Sequence, residues 1–383
     1  MKRHIFAIAL ALSAAHNALA EEPETVVTEN ESKAGVSVDA LAFFRDNEYK
    51  SMLTDGYTLP GAWVRPKLEY DPNSHIHLEL GVHALFFDGA NRYPCYAYHD
   101  IGHWKGNQYQ SGAHVLPWFR AQAKMQGVSV VLGDIYGDTS HDIVTPLYNR
   151  EQVMSADPEM GAQILVSHRG FSMDAWVNWQ SYQFKEDTHQ EAFTVGVTAR
   201  QRLSGSTSIL LNALAQHRGG EQDIPDLHLG VQTICNGSIG IDWSHDGLPA
   251  GKTVNGYGVS ANLIGCYQQA GDLWPFSSGI AMHAEGRMEL INCLSLRLGY
   301  FLAPEDFISI YGNPLFSTVS IKDTEKRLDG IGTGYFHLDY HRTFGKNYTL
   351  GALLETFKSD TKGLDEFNFA FGLYLRVNPS WRL

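Results

Sequence analysis

Long hydrophobic runs, cysteine and positive charge are all scarce in this 383-residue sequence. Beyond residue 20, no uncharged apolar run reaches about 18 residues, the minimum for a membrane-spanning helix. The formal net charge of −13 argues against a nucleic-acid partner. Four cysteines lie far apart without a C-x-x-C spacing, which favours apolar fillers or one incidental disulfide and predicts no metal site: Cys95, Cys235, Cys266 and Cys293. No cofactor is expected.

The N-terminus carries the pattern of an export signal. A basic segment at residues 2–4 precedes a short apolar stretch at 5–15 and an A-x-A cleavage pattern at 18–20. We therefore expect a cleaved signal peptide over residues 1–20, followed by a polar, acidic and flexible periplasmic leader over residues 21–35.

Hydrophobic residues alternate with polar ones through the rest of the chain. Residues 75–87 read HIHLELGVHALFF, in which apolar residues from Ile76 to Phe86 occupy every second position. Strands of about ten residues with this alternation are typical of transmembrane β-barrels, whereas strands of soluble sandwiches usually run about 5–6 residues. The pattern predicts one all-β domain over residues 36–383, an antiparallel transmembrane β-barrel.

The connections between strands support this fold. Short turns alternate with long polar loops, as expected for short periplasmic turns and long extracellular loops. The rhythm predicts about 16 strands if residues 227–244 form a single strand with a bulge at Asn236 and Gly237. Counts of 14 or 18 strands remain open.

The chain ends in FNFAFGLYLRVNPSWRL, where every second residue from Phe367 is apolar. With the export signal and the loop rhythm, this strand resembles the Gram-negative outer-membrane β-barrels, broadly porin-like, over residues 36–383. The resemblance implies contact with outer-membrane lipid and lipopolysaccharide, and recognition of the last strand by the barrel-assembly machinery. We expect that strand to close the barrel against residues 36–46, with weaker pairing at Pro379, which has no amide proton.

The resemblance favours a channel that passes small polar solutes, with opposed charges across a wet lumen. The alternative is that these charges only pair with one another and hydrate the wall. The predicted pore-lining residues are Arg65, Lys67, Glu79, Arg120, Lys124, Asp174, Arg200, Glu285, Arg287, Glu289, Arg297, Asp339, Glu355 and Arg376.

Two long loops carry further hypotheses. The loop at 91–112 is rich in aromatic residues, which suit sugar or peptide recognition, so a glycan- or capsule-binding or structural barrel is the alternative function. The loop at 303–332 contains Leu315, Phe316 and Val319, which predict either a plug inside the barrel mouth or a surface hairpin. The recognition candidates of the first loop are Tyr96, Tyr98, His99, Trp104 and Tyr109.

An outer-membrane hydrolase or acyl transferase is the third alternative. Ser244, His245 and Asp246 are consecutive, and neighbours on a strand point to opposite faces, so they do not predict a catalytic triad. The sequence has no G-x-S-x-G motif, and residues 188–191 lack the H-E-x-x-H spacing of a zinc protease. The sequence therefore predicts no catalytic residue and a protein that is not an enzyme.

Overall fold

A computed structural model gives the fold of most of the chain. The described residues are 33–87, 112–137, 140–181, 191–219, 231–245, 253–272, 274–291, 293–321, 323, 325–361, 364 and 366–383. The expected signal peptide and most of the leader therefore lie outside the described residues, as do Cys95, Asp246 and the five recognition candidates of the 91–112 loop. The other three cysteines are unpaired.

The described chain forms one antiparallel sheet. Its strands are β1 (Lys33–Lys50), β2 (Asp55–Asn73), β3 (Ile76–Phe87), β4 (Gly112–Met125), β5 (Val128–Asp134), β6 (Met160–His168), β7 (Phe171–Ser181), β8 (Ala192–Arg202), β9 (Thr207–Arg218), β10 (Gln232–His245), β11 (Val254–Ala270), β12 (Ser278–Leu290), β13 (Leu294–Ala303), β14 (Ile331–Phe344), β15 (Tyr348–Ser359), β16 (Phe367–Val377) and β17 (Ser380–Arg382). No helix in this part of the chain is long and apolar enough to cross a membrane.

The sheet closes on itself through its first and last strands. Strand β1 pairs with β2 on one side and with both β16 and β17 on the other. Because β16 and β17 face the same partner and are separated only at residues 378–379, they form one interrupted strand, and the barrel has sixteen strands. The predicted fold, strand number, closing strand and weakened pairing at Pro379 are all confirmed.

One local prediction is wrong. Strand β10 runs through Asn236 and Gly237 in unbroken register with both β9 and β11. The register shift against β11 lies instead between Thr233 and Ile234. The side chain of Asn236 hydrogen-bonds inside the barrel to the backbone oxygen of Ile308 at 2.9 Å, which suits a regular inward position better than a bulge.

The alternation places apolar side chains on the outer face and polar ones on the inner face. On β3, for example, Leu80 is 63% exposed on the outside, whereas Glu79 is 7% exposed on the inside. A continuous outer apolar surface of this kind is what a bilayer covers in a β-barrel. The start of β1, the end of β17 and the short turns lie at one end of the barrel, which is the periplasmic end in such barrels.

Two segments from the opposite, extracellular end fold into the barrel. Inner loop A is residues 140–159 and contains a 3-10 helix (Thr145–Leu147) and a short helix, α1 (Gln152–Ser155). Inner loop B is residues 304–321 and contains a 3-10 helix (Pro314–Phe316). Leu315, Phe316 and Val319 are at most 3% exposed, so the prediction that this loop docks inside the barrel is confirmed.

The inner loops bind the wall on several sides and also bind each other. Inner loop A contacts β9 where the Val144 amide donates to Asn212 Oδ1 at 3.0 Å, and β12 where Thr145 Oγ1 donates to Glu285 at 2.7 Å. Inner loop B contacts β1 where Asn313 Nδ2 donates to Tyr49 Oη at 3.0 Å. The Asn149 amide donates to the Tyr311 oxygen at 2.7 Å and joins the loops. Together they cross the lumen.

Candidate functional site

The fourteen predicted pore-lining residues all lie on inward-facing strand positions. Most of them are paired with a described neighbour. Their contacts include Lys67 with Glu79, Glu79 with Arg120, Arg200 and Arg287 with Asp242, Glu285 with Arg297, Glu289 with Ser295, Asp339 with Tyr374, Glu355 with Arg45, and Arg376 with Asp39. Arg65 donates to His83 at 2.8 Å, and Lys124 lies beside the periplasmic β4–β5 turn. Whether these residues line a conducting pore stays a prediction.

A buried charged network fixes inner loop A to the first strand. Glu151 accepts hydrogen bonds from Asn47 Nδ2 at 2.8 Å and from Tyr57 Oη at 2.5 Å. Arg45 Nε lies 2.7 Å from the same carboxylate, and the Arg45 guanidinium also binds Glu355. A charge this deeply buried requires partners, so the network holds the loop in one position.

A second network fixes the start of inner loop A. His141 Nδ1 lies 2.7 Å from Asp174 and its Nε2 lies 3.2 Å from Glu159. Its ring stacks on Trp176 with 3.5 Å between centroids. Burial opposes protonation, but the hydrogen bonds to Asp174 and Glu159 prevail and raise the pKa of His141 to about 9. His141 is therefore a structural cation near neutral pH. Ser140 also donates to Asp174, at 2.8 Å.

A third cluster lies near the extracellular end of the wall. His114 Nδ1 is 3.2 and 3.3 Å from the two carboxylate oxygens of Asp157, at the end of inner loop A. On the neighbouring strand β3, Leu85 pairs with His114, and the fully buried His83 is two residues away. A carboxylate that orients an imidazole is the arrangement used in general base catalysis.

Below the inner loops lies a cavity of about 680 Å³. It reaches Gly205 and Ser206 in the periplasmic β8–β9 turn and His245 at the end of β10. Two linked hydrogen bonds lie on its wall. His283 Nε2 is 2.6 Å from Tyr335 Oη, and Tyr335 Oη donates to Glu285 at 2.8 Å. Among the described residues, no cluster of histidine, cysteine and carboxylates could hold a metal ion.

Sequence patterns identified the inward charges but missed the residues that meet them. Glu151, His141 and Asp157 lie in a loop without hydrophobic periodicity, so no pattern placed them inside the barrel. The one available signal was the RDN sequence at residues 45–47, where Arg45 and Asn47 occupy inward positions on a strand.

The protein is a bacterial outer-membrane β-barrel. It has a closed wall, an apolar outer face, short connections at one end and long connections at the other, and these features support a location in the outer membrane. A family model described as "Lipid A 3'-O-deacylase-type" matches residues 26–383, and the chain belongs to this family. Because this is an enzyme family, the prediction that the protein is not an enzyme is wrong.

Solved structures share the fold. OccAB2 of Acinetobacter baumannii is 11% identical, with a TM-score of 0.51, over 91% of this chain and 98% of that one. The loop L8 deletion mutant of OmpT, an outer-membrane protein of Vibrio cholerae, is 12% identical, with a TM-score of 0.50, over 91% of this chain and 100% of that one. No curated protein sequence matches significantly. At these identities the likeness concerns the fold alone, and it confirms the porin-like resemblance.

Proposed function

We propose that this protein is an outer-membrane hydrolase that removes an ester-linked acyl chain from a lipid A-type glycolipid. The observation that carries the proposal is the family match, which extends over residues 26–383 and therefore over every strand of the barrel. A transmembrane barrel also brings the enzyme to its lipid, because its outer face is in contact with the membrane.

The catalytic groups of such an enzyme should lie at the extracellular end of the wall. The acyl esters of lipid A join the fatty chains to the sugar headgroup, at the outer surface of the membrane. Of the clusters described above, the pair of His114 and Asp157 lies at this end of the wall. In this pair a carboxylate orients an imidazole. His141 is a poor base because it already carries its proton.

The dyad supports a simple hydrolytic step. With Nδ1–H donated to Asp157, His114 has its basic lone pair on Nε2. This nitrogen would take a proton from a water molecule as the water oxygen bonds to the ester carbonyl carbon. The carbon–alkoxy oxygen bond then breaks, the proton passes to the alkoxy oxygen, and the products are a free fatty acid and a sugar hydroxyl.

The test is mass spectrometry of lipid A after incubation with the purified protein in lipid A-containing vesicles. We expect wild type to remove one acyl chain, and His114→Ala to lower the rate by roughly 10²–10⁴-fold. Asp157→Asn should lower the rate less, because the proposed base, His114, is still present. The matched control is His168→Ala, an exposed histidine at the periplasmic end of β6. Intact lipid A with wild type would refute the function, whereas full activity in His114→Ala would refute only the dyad.

Passage of small polar solutes is the second candidate function. The charges on the inner face support it, and the two inner loops that cross the lumen oppose it. Recordings in a planar bilayer test it: steady conductance that changes on reversal of Arg120 or Arg287 supports a channel, and a silent bilayer argues against one. Recognition of a glycan by the 91–112 loop and docking on the assembly machinery remain predictions.

A further inference from the structure

The cavity below the inner loops has an unusual charge arrangement on its wall. Arg287 on β12 and Arg297 on β13 are direct cross-strand partners on the inner face. Like charges placed directly opposite each other on neighbouring strands destabilise a sheet. Arg297 in turn pairs with His337 on β14, so two guanidinium groups and one imidazole form a row. The row lies in the periplasmic third of the barrel, close to the start of β13.

The ceiling of the cavity adds a further cation above this row. Arg150, in inner loop A, lines the same cavity and is close enough to Arg297 and His337 for electrostatic interaction. Its side chain is exposed to the cavity space. Within the described part of the chain, its guanidinium makes no hydrogen bond or ion pair, in contrast to those of Arg45 and Arg200, although Glu355 is within electrostatic range.

The acidic groups of the cavity are mostly held by other partners. Glu355 binds Arg45 and lies 4.0 Å from His337, and Asp142 binds Arg200. Glu285 approaches Arg297 Nη1 only to 3.6 Å, which is too long for a hydrogen bond. The other oxygen of that carboxylate already accepts from Thr145 and Tyr335. Asp242 is shared between Arg287 and Arg200. Among the described residues, the Arg150 guanidinium therefore lacks a hydrogen-bonded carboxylate, and Arg297 has only the long contact with Glu285.

We propose that this cavity binds a small phosphate-bearing ligand that enters from the periplasm. A phosphate monoester carries about −1.5 to −2 charges at neutral pH and would give both Arg150 and Arg297 a charged acceptor. Guanidinium groups bind phosphate oxygens with paired hydrogen bonds, and a phosphate between Arg150 and Arg297 would relieve the cross-strand repulsion. The cavity of about 680 Å³ has the size of a small-molecule site. Its periplasmic mouth at Ser206 and His245 favours a soluble ligand over an outer-leaflet lipid.

The experiment is calorimetric titration of the full-length protein in detergent with inorganic phosphate, glucose 6-phosphate and uncharged glucose. We expect the two phosphates to bind and glucose not to bind. Arg150→Gln and Arg297→Gln should each lower the affinity for glucose 6-phosphate by about tenfold or more, because each variant loses one charge-assisted contact. The matched control is Arg376→Gln, an inward arginine paired with Asp39 that does not line this cavity. It should change the affinity less than about twofold.

A second readout separates binding from folding. Phosphate should raise the melting temperature of wild type, and it should no longer raise that of Arg297→Gln. No binding of either phosphate to wild type, equal binding of glucose, or unchanged affinity in Arg150→Gln would each overturn the proposal. Arg150→Gln should still deacylate lipid A. The titration measures phosphate binding and not deacylation, so its result can be interpreted even if the proposed function is wrong.

Discussion

Arg45 on the first strand and Glu151 on inner loop A form an ion pair with 2.7 Å between Nε and Oε2, and their side chains are 2% and 1% exposed. The two residues are joined across the barrel interior, from the wall to an inserted loop. Because both charges are out of water, each depends on the other for its solvation. The contact of inner loop A with the first strand therefore depends on a single buried carboxylate.

Replacement of that carboxylate tests this dependence. In Glu151→Gln the amide keeps the shape of the side chain but leaves the Arg45 charge with Glu355 alone, while Asn47 and Tyr57 lose a charged acceptor. We expect a loss of about 3 kcal/mol in the free energy of unfolding, as for other buried pairs that lose one partner. Chemical denaturation in detergent micelles measures it. Glu325→Gln, at an exposed position, is the control, and an equal effect of both variants would contradict the assignment.

The His141 site predicts a stability that depends on pH. The pKa of His141 is about 9 in the folded protein against 6.5 for an ordinary histidine, because Asp174 and Glu159 bind the charged ring. A raised folded-state pKa gives stability that is fully present below pH 6.5 and is lost as the pH rises through about 9. The wild-type melting temperature should therefore fall across this window.

The variant His141→Gln isolates this contribution. It should melt lower than wild type at pH 6, and the difference between the two should shrink by pH 10. His168→Gln, an exposed position at the periplasmic end, should follow the wild-type profile. A pH profile of His141→Gln that runs parallel to wild type would show that the ring is not protonated in the folded protein.

The outer face predicts a cost for charge in the membrane. Leu80 lies near the middle of β3 and is 63% exposed on the apolar outer surface. Leu80→Arg should lower the free energy of unfolding in lipid vesicles by about 2–4 kcal/mol, the usual cost of an arginine near the bilayer midplane. Leu80→Phe, which keeps the surface apolar, should cost far less. If arginine and phenylalanine are equally tolerated, this face is not in contact with lipid.

The wall could be predicted from the sequence because its two faces meet different surroundings. Leu80 faces lipid and Glu79 faces the polar interior, and this difference repeats at every second residue. The closing strand followed from the same pattern together with the missing amide proton of Pro379. The strand register at single-residue precision, such as the shift at Thr233, depends on tertiary contacts and could not be predicted from the sequence.

The inner loops and the enzymatic class could not be predicted in the same way. Glu151 and its partner Asn47 are 104 residues apart, and nothing local to either residue encodes their contact. The family match extends over residues 26–383 and is not concentrated in one short motif that residue chemistry alone identifies. His114 and Asp157 are likewise brought together only when inner loop A folds back onto the wall.

A glycine opposite an aromatic ring links the wall to the His141 site. Gly196 on β8 is the cross-strand partner of Trp176 on β7, and a methyl group added at Gly196 would overlap the Trp176 ring. Trp176 stacks on His141, so Gly196→Ala should displace the indole and loosen the start of inner loop A. Overpacking of this kind costs about 1–3 kcal/mol. Gly205→Ala is the matched control, because a methyl group there meets no atom within 4 Å.

Two measurements check this prediction. The melting temperature of Gly196→Ala should fall relative to wild type, while that of Gly205→Ala should stay within error. Limited proteolysis should also cleave inner loop A faster in Gly196→Ala, because His141 loses its stacking contact with Trp176. A lower melting temperature with unchanged proteolysis would mean that the Trp176 ring stabilises the wall without holding the loop.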